Sequence, residues 1–476
     1  MIATHPHQEV QSPYRKGGPM EDRLREAVAQ SRADYTEARW EAVTRSRVAF
    51  QRDQLMALES GEEAGGIVRS LVRGAWGIAV FTDPEELPRK VEEATELART
   101  AAGHVADPIT LAPVEPVEAR WHGEVRRDFR GVPLEEKRRL AEGYNKLLLE
   151  HSPLIASTSV RYTDSWRTVI YANSEGTYVE QGIPDVTLMV AAMARKNGDI
   201  QQGFESLGYA AGFEAVLGKE EQALAAAQRA VDLLSAKPVQ GGTYTVILNP
   251  DLAGVFIHEA FGHICEADFL LRNEPMRRVM QVGTRFGVEF LHVVDDGYRA
   301  RERGNAPYDD EGVPRRKTYL IRDGILSGLM HSRATAHKMK AEPTGNARAV
   351  SWEHEPIVRM RNTYIEPGEA SFEEMLHGIE RGLYACSAFG GETMSEQFTF
   401  SAAWGHEIVN GKVGPMVRDV VLTGNVFHTL QNIEMIGRDF KLEGSSGGCG
   451  KGGQWPLPTT TGAPHVRVRN VTVGGR

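Results

Sequence analysis

Cysteine is scarce in this sequence, and long apolar runs are absent. Three cysteines occur among the 476 residues, and such an odd, widely spaced set does not make the disulfide framework of a small secreted protein. Cys265, Cys386 and Cys449 instead fit a reducing compartment. No run of about 18 apolar residues indicates a membrane-spanning helix, and segment 1–20 lacks the apolar core of a secretion signal. We therefore expect a cytoplasmic protein.

The sequence also lacks a large excess of positive charge. Its net charge of −9 and pI near 6.0 argue against nucleic acid as the main partner. The contents of 41% hydrophobic and 25% charged residues are typical of soluble globular proteins, and 476 residues are enough for two or three domains. Segment 1–20 is polar, so we expect a disordered tail, with Met20 as a possible alternative start to Met1.

The first half of the chain alternates helical and strand-like patterns. Amphipathic helices are predicted from Glu21, from Pro84, over Leu134–Glu150 and over Lys219–Ser235. Asn197-Gly198 marks a hairpin between Thr187–Lys196 and Asp199–Glu205. These patterns predict an α+β N-terminal region over 21–237, with a possible subdivision near 105–133.

The second half, 238–476, is predicted to be a β-rich catalytic domain around one buried, kinked helix. Hairpin turns are indicated at Asp323-Gly324 and Asn410-Gly411, and Val417–Leu422 has the pattern of a single strand. The fold class predicted for the whole chain is therefore α+β.

The buried helix contains the segment FIHEAFGHICEAD, in which His258 and His263 are five residues apart. Asn249 is suited to cap this helix and Pro250 to begin it. Zinc peptidases commonly space two histidines four apart, with a glutamate as base. A spacing of five turns them about 140° apart on a regular helix. A π-helical turn, eased by Gly262, would return both to one face.

A metal site and a pair of hydrogen-bonded core histidines are both compatible with this spacing. A metal needs a third ligand, for which the candidates are Cys265, Glu266, Cys386 and Cys449. Cys449 is preferred because the loop GSSGGCGKGGQ is rich in glycine, so that its backbone can come close to any group around which it folds. A flexible surface loop with an incidental thiol is the alternative. The same loop matches GxGxxG by letter, but QWPLP follows where a nucleotide-binding helix should begin.

Acidic residues near the histidines have two interpretations. Glu266 and Asp268 could orient metal ligands from the second coordination shell, or could only pair with arginines such as Arg272. The run Asp309-Asp310-Glu311 could recognise a substrate amine, although a solvated turn is the expectation preferred here.

HEAFGHICEAD and GGCGKGGQ together resemble the TldD/PmbA family of zinc metallopeptidases, whose metal-bearing TldD branch has HExxxH. Further matching stretches include PTGNARA, RMRNTYIEPGE and QNIEMIGRD, so the similarity extends over about 22–473. The resemblance implies one Zn²⁺ per chain on His258, His263 and Cys449, with Glu259 as the base that activates the attacking water. The segment WPLPTTTGAPHV, which follows Gln454, departs from the family pattern.

The resemblance further implies hydrolysis of unfolded or short peptides. It implies a dimer, either with a TldE-like partner subunit that lacks the motif or with a second copy. Two other functions stay open at this point. One is a non-catalytic zinc-binding assembly subunit, and the other is a metal-dependent hydrolase of non-peptide amides.

Overall fold

The computed structural model describes residues 19–394 and 396–474. Most of the predicted N-terminal tail therefore lies outside the described residues. The predicted α+β class is confirmed, and strands outnumber helices in both halves.

The N-terminal half is built on one seven-stranded sheet. Its strands are β1 (Tyr35–Gln51), β2 (Gln54–Val72), β3 (Ala75–Phe81), β4 (Glu118–His122), β5 (Ile155–Asn173), β6 (Tyr178–Lys196) and β7 (Asp199–Tyr209). Their order is β3-β2-β1-β5-β6-β4, with β7 also on β6. All neighbours are antiparallel except β4 and β6. Long strands thus replace the shorter runs that the sequence suggested.

Four helices cover this sheet. They are α1 (Met20–Ala29), α2 (Leu87–Ala102), α3 (Leu134–Glu150) and α4 (Glu220–Leu233). The first two pack over β1, β2 and β3 through an apolar cluster that includes Leu24 and Val91. The other two pack over β5 and β6 through a second cluster that includes Leu148 and Ala226. The predicted helix Leu134–Glu150 and the hairpin at Asn197-Gly198 are confirmed.

The C-terminal half contains two larger sheets and several short helices. Its strands are β8 (Lys237–Pro238), β9 (Gly242–Leu248), β10 (Val293–Asp296), β11 (Thr318–Arg322), β12 (Ile325–Leu326), β13 (Ala347–Arg348), β14 (Ile357–Val358), β15 (Asn362–Ile365), β16 (Arg381–Met394), β17 (Gln397–Val409), β18 (Lys412–Arg418), β19 (Val421–Asn425), β20 (Ile433–Ile436), β21 (Lys441–Gly444), β22 (Cys449–Lys451), β23 (Gln454–Leu457), β24 (Thr460–Ala463) and β25 (Val466–Gly474). Its helices are α5 (Pro250–Ile257), α6 (Ala267–Arg272), α7 (Glu274–Val279), α8 (Arg333–Met339), α9 (Phe372–Leu376) and α10 (Val426–Gln431).

Two details of this half differ from the sequence prediction. One buried helix was expected, but five further short helices follow α5, each too short to show a helical period. Val417–Leu422 was expected as one strand, but Asp419 has a positive φ of 58° and divides it into β18 and β19. Both predicted hairpins, at Asp323-Gly324 and Asn410-Gly411, are confirmed.

The helix α5 lies between the two large sheets. The order of one is β16-β9-β25-β19-β17-β18-β8, with β20 on β25 and an extra pairing of β16 with β17 that closes five strands into a ring. The other has the order β12-β11-β10-β15-β24-β21. Phe256 on α5 packs edge-on against Phe398 and Phe400. On its other side, a Cβ at Gly254 would lie 2.8 Å from the backbone nitrogen of Gly462 in β24.

The acidic run Asp309-Asp310-Glu311 is buried between the two halves, so the expectation of a solvated turn is wrong. Arginines of the N-terminal sheet neutralise it. Arg167 donates to Asp310 at 3.3 Å and Arg69 to Glu311 at 3.1 Å. Asp310 and Glu311 therefore help to dock the halves together, whereas Asp309 accepts hydrogen bonds from backbone N–H groups of its own half. All three carboxylates already have partners, which argues against their binding a substrate amine.

In the described part of the chain, no helix is both long and apolar enough to cross a membrane.

Candidate metal centre

The helix that supplies the histidines begins as the sequence predicts. Strand β9 ends at Leu248, and the Asn249 side chain then accepts a hydrogen bond of 2.9 Å from the backbone N–H of Leu252. Pro250 occupies the first helical position. Because Leu252, Phe256 and their neighbours are buried, α5 is fixed in the core and its C-terminal end is held in place.

A π-helical turn occupies His258–Gly262, directly after α5. It brings the rings of His258 and His263 to a centroid distance of 5.3 Å. Gly262 has an ordinary right-handed φ of −58°, so backbone freedom is not its main role. A Cβ there would instead clash with the sulfur of the buried Met360. The glycine therefore provides room for close packing under the turn.

Cys449 meets the two histidines from a distant part of the chain. Its Sγ lies 3.3 Å from Nε2 of His263. One ligand atom from each of His258, His263 and Cys449 lies within 4.8 Å of the others. A tetrahedral zinc ion places sulfur and nitrogen ligands roughly 3.5 Å apart. The distances among the three ligand atoms are thus close to those that a single bound ion requires.

The chemistry of the three groups also fits zinc. Burial raises the pKa of the Cys449 thiol, but His258 and His263 outweigh it and lower that pKa to about 4. The thiolate form, which binds metal, is therefore favoured. Nδ1 of His258 is buried and has no hydrogen-bond partner among the described residues. Two imidazoles and a thiolate are a donor set that zinc prefers.

The other two cysteines lie outside this group. Burial raises the pKa of Cys265 well above its usual value, and it raises that of Cys386 to about 12. Both are buried, neutral thiols that pack as small apolar side chains. The structure therefore brings Cys449, but neither of these two, to the histidines.

Glu259 lies at the open side of the centre. Its Oε2 is 3.7 Å from Nε2 of His263, and its side chain is 30% exposed. The side chain of His263 is 24% exposed, whereas His258 is buried. The sequence predicted that the helix carrying His258, Glu259 and His263 is buried, but the site opens to solvent at Glu259 and His263.

Glu266 contacts His263 from the closed side. Its Oε2 lies 3.0 Å from Nδ1 of the ring, and the carboxylate is buried. Burial raises the pKa of Glu266, but His263 and Lys451 outweigh it and lower the pKa to about 2. Glu266 is therefore ionised and accepts the Nδ1–H of His263, which leaves Nε2 directed at Cys449.

Lys451 joins the two acidic residues that the sequence placed near the site. Its Nζ lies 3.0 Å from Glu266 and donates to Asp268 at 2.6 Å and to the carbonyl of Val358 at 2.7 Å. In the described part of the chain, Asp268 is thus paired with Lys451 rather than with Arg272. Asp268 reaches the histidine only through Lys451 and Glu266.

The strand that supplies Cys449 belongs to a short hairpin, β22–β23. The buried Arg359 donates to the carbonyl of Cys449 at 2.7 Å and to that of Gln454 at 3.4 Å. The hairpin continues through Trp455 and Pro456 as strand β23, with no helix at that point, so a dinucleotide-binding loop is excluded.

Sequence reasoning missed Lys451 and Arg359. Lys451 is the one charged residue in GSSGGCGKGGQ, which is a usable signal because an isolated charge beside a predicted ligand needs a partner. Arg359 gives no comparable signal, because it acts on backbone carbonyls 90 residues away.

Three family profiles match the chain: "PmbA/TldA metallopeptidase domain 1" over 36–98, "central domain" over 127–236 and "C-terminal domain" over 241–475. A metalloprotease of Synechocystis sp. is 43% identical over 447 residues, which cover 94% of this chain and 96% of that protein.

Two further similar proteins are a relative found by sequence and a solved structure. A zinc metalloprotease TldD homologue of Saccharolobus solfataricus is 36% identical over 326 residues, which cover 68% of this chain and 72% of that protein. The crystal structure of TldE from Thermococcus kodakarensis superposes with a TM-score of 0.75 at 19% identity, covering 93% of this chain and 97% of that one. At that identity the likeness is one of fold.

Proposed function

The chain belongs to the PmbA/TldD family of metallopeptidases, and from this we propose that it is a zinc-dependent peptidase acting on unfolded or short peptides. The observation that supports this best is the convergence of His258, His263 and Cys449, within 4.8 Å, beside a partly exposed Glu259. The name of the Saccharolobus relative supports zinc as the metal.

The proposed ligands are His258, His263 and Cys449, with one Zn²⁺ per chain. Bound there, zinc would supply a Lewis acid that polarises the scissile carbonyl and lowers the pKa of a water molecule. Glu259 accepts the proton of the attacking water and returns it to the nitrogen of the leaving amine. Its place beside His263, on the open side of the centre, suits this role.

The proposed role of Glu266 is to hold His263 in one tautomer and orientation. It accepts the Nδ1–H, so that Nε2 presents its lone pair to the metal. Lys451 balances the charge of Glu266 and Asp268. Without this cation, two carboxylates would be close together in a largely buried place, which is unfavourable.

The remaining assignments follow from the family. We propose a dimer, either with a TldE-like subunit that lacks the motif or with a second copy; the TldE-like fold supports the first form. We further propose a cytoplasmic location and a division into an N-terminal region, 21–237, and a catalytic domain, 238–476. The profile boundary between 236 and 241 is compatible with that division.

Metal content of the purified protein tests the site. We expect near-stoichiometric zinc in the wild type and in Cys265→Ala, and little in His263→Ala or Cys449→Ala. Zinc retained without Cys449 would contradict the ligand set. A wild type free of metal after purification in zinc-supplied medium would contradict the proposed function.

Glu259→Gln then tests the chemistry. We expect this variant to keep its zinc and to lose peptide hydrolysis, assayed with an unfolded protein substrate and with the partner subunit added. Hydrolysis that survives Glu259→Gln would contradict the proposed base. Turnover of non-peptide amides with peptides left intact would favour the amidase alternative, and zinc without any turnover would favour an assembly subunit.

A further inference from the structure

The loop that precedes Cys449 is held by the N-terminal half of the molecule. The two histidines lie in the C-terminal half, one at the start of the π-turn that follows α5 and the other directly after that turn. Segment 444–447 instead packs on β7 of the seven-stranded sheet. At this contact a Cβ on Gly444 would clash with the carbonyl of Gly208, and one on Gly208 would clash with that of Ser445. The two backbones therefore touch, with no room for a side chain between them.

Arg303 holds this contact together. Its guanidinium makes a two-pronged ion pair with Asp185 of β6, at 2.6 and 2.7 Å. The same group donates to the carbonyl of Ser445 at 2.5 Å and to that of Gly447. The Arg303 side chain is buried, with 5% exposed, and Asp185 is 19% exposed. One arginine thus connects the N-terminal sheet to the loop that ends in the thiol.

A second set of hydrogen bonds fixes the middle of the loop. The backbone N–H of Ser446 donates to the hydroxyl of Ser206 at 2.8 Å, and the two hydroxyls are also 2.8 Å apart. Ser206 lies on β7, next to the close approach at Gly208. Gly444, Ser445 and Ser446 therefore contact β7 directly, and Gly447 is held by Arg303.

The two sides of Cys449 are held differently. After the cysteine, Arg359 and Lys451 attach the hairpin to other parts of the C-terminal half. Before it, Gly444 ends the pairing of β21 with β24 in the C-terminal half. The next residues, 445–447, are attached to the N-terminal half, directly at Ser206 and Gly208 and through Arg303 at Asp185. The distance between Cys449 and the histidines thus depends on how the two halves dock.

We propose that Arg303 and Asp185 are positioning residues for the Cys449 ligand, so that docking of the N-terminal sheet sets the affinity of the metal centre. The inference rests on the proposed zinc site and extends it to a region with none of the ligands. In the hydrogen bonds and ion pairs of the described residues, neither Arg303 nor Asp185 contacts the side chains of the proposed ligands. Their effect is to restrict the thiolate to the place where it meets His258 and His263.

Asp185→Asn is the variant that tests this. It keeps the volume of the side chain but loses the charge and one acceptor of the two-pronged pair. We expect zinc affinity, measured by competition with a chromophoric chelator, to fall roughly ten- to a hundred-fold, as is usual when a group that supports a ligand is lost. Arg303→Lys should act in the same direction, because a single ammonium nitrogen cannot reproduce the planar fork that makes the two-pronged pair with Asp185.

Asp199→Asn is the matched control. Asp199 is also on the N-terminal sheet and forms an ion pair across the same boundary, with Arg418 at 3.5 Å, but it does not contact the loop. We expect its zinc affinity to stay within about twofold of the wild type, since an exposed pair contributes little. An equal loss of zinc affinity in both variants would mean that any weakening of the contact between the two halves has this effect. That result would overturn the proposal.

A spectroscopic measurement separates positioning from a purely structural role. In the cobalt-substituted protein, the sulfur-to-metal charge-transfer absorption reports the thiolate ligand. It should weaken per bound cobalt in Asp185→Asn but not in Asp199→Asn. Gly208→Ala, which wedges the loop away without altering a charge, should weaken it in the same way. A full-strength band together with unchanged zinc affinity in Asp185→Asn would overturn the proposal.

The thiol itself gives a readout that needs no metal. In metal-free protein, Asp185→Asn should let Cys449 react severalfold faster with an alkylating reagent, because this buried thiol would become accessible more often. Unchanged alkylation would contradict the positioning role even if no zinc bound to the wild type. Failure of the proposed function and failure of this inference therefore give different results.

Discussion

The ammonium of Lys451 lies 3.0 Å from the carboxylate of Glu266, which in turn lies 3.0 Å from Nδ1 of His263. Lys451 follows Cys449 by two residues on β22. Strand β22 thus supplies both the proposed ligand Cys449 and the cation Lys451, which pairs with the carboxylate that contacts His263. The two ligand segments are connected through this ion pair before any metal binds.

Glu266→Gln should weaken zinc binding roughly ten- to a hundred-fold, because the neutral amide is a poorer acceptor for the Nδ1–H of His263. Chelator competition would measure the loss. Asp268→Asn is the control, since Asp268 contacts Lys451 but not the histidine, and its effect should be smaller. Equal effects of the two substitutions would contradict the direct role of Glu266.

Lys451→Met should destabilise the metal-free protein by about 3 kcal/mol, the lower end of the cost of removing one partner of a buried ion pair, because it leaves two carboxylates without their cation. The double variant Glu266→Gln with Lys451→Met should cost less than the sum of the single variants, because the buried charge and its partner are then removed together. Urea unfolding of all four proteins measures the coupling. Strictly additive effects would show that the pair contributes nothing.

Gly262→Ala should destabilise the protein by about 1–3 kcal/mol, although alanine is normally the better helix former. The reason is the clash of the new Cβ with Met360. If that is right, Met360→Ala should relieve part of the loss, and the double variant should be more stable than additivity predicts. Thermal unfolding of the metal-free forms would show it. A stabilising Gly262→Ala would refute the packing argument.

Cys449 should be the fastest of the three thiols to be alkylated in metal-free protein at about pH 6. Its pKa of about 4 makes it a thiolate there, whereas the pKa values of Cys265 and Cys386 are raised. Peptide mapping after a short exposure identifies the modified residue. Zinc should protect Cys449, and preferential labelling of Cys265 would contradict the assignment.

Asp310 should contribute acid-dependent stability. Burial raises its pKa, but Arg167 and Arg39 outweigh burial and hold the pKa below its usual value. Since the folded pKa is below the unfolded value, this contribution to stability is complete above about pH 4, near the unfolded pKa, and is lost as the pH falls through the folded pKa.

Asp310→Asn should therefore lose stability near neutral pH and show a shallower decline between about pH 4 and pH 3. Urea midpoints at several pH values measure both quantities. Asp323→Asn serves as control, because that carboxylate is 64% exposed and should leave the decline unchanged. A decline as steep as that of the wild type in Asp310→Asn would count against this account.

Local signals in the sequence predicted much of the fold. The helix Leu134–Glu150 begins after a proline and has a clear period, and Asn-Gly or Asp-Gly turns marked three hairpins. Helices of five to seven residues, such as α9, are too short for a period to appear. Strands β6 and β7 are longer than the predicted runs Thr187–Lys196 and Asp199–Glu205, because the pairing of β6 with β5 and β7 continues beyond those runs.

The proposed site was predictable where its residues belong to a motif. His258, Glu259, His263 and Cys449 follow from spacing and resemblance, and Glu266 follows from its closeness in sequence. Arg303 and the buried acidic run could not be predicted in the same way. Their partners lie more than a hundred residues away, as for Arg167 and Asp310, and only the folded chain brings such pairs together.

The separation between His263 and Cys449 also has a consequence for the order of synthesis. These residues are 186 positions apart, so at roughly 5–20 residues per second a ribosome needs about ten to forty seconds to go from one to the other. A nascent chain that has already exposed the helix, both histidines and Glu259 still lacks the thiolate. By then the N-terminal sheet that receives the loop has been made in full. A chain assembled in this order gains its last proposed ligand only when the surface proposed to position it is already complete.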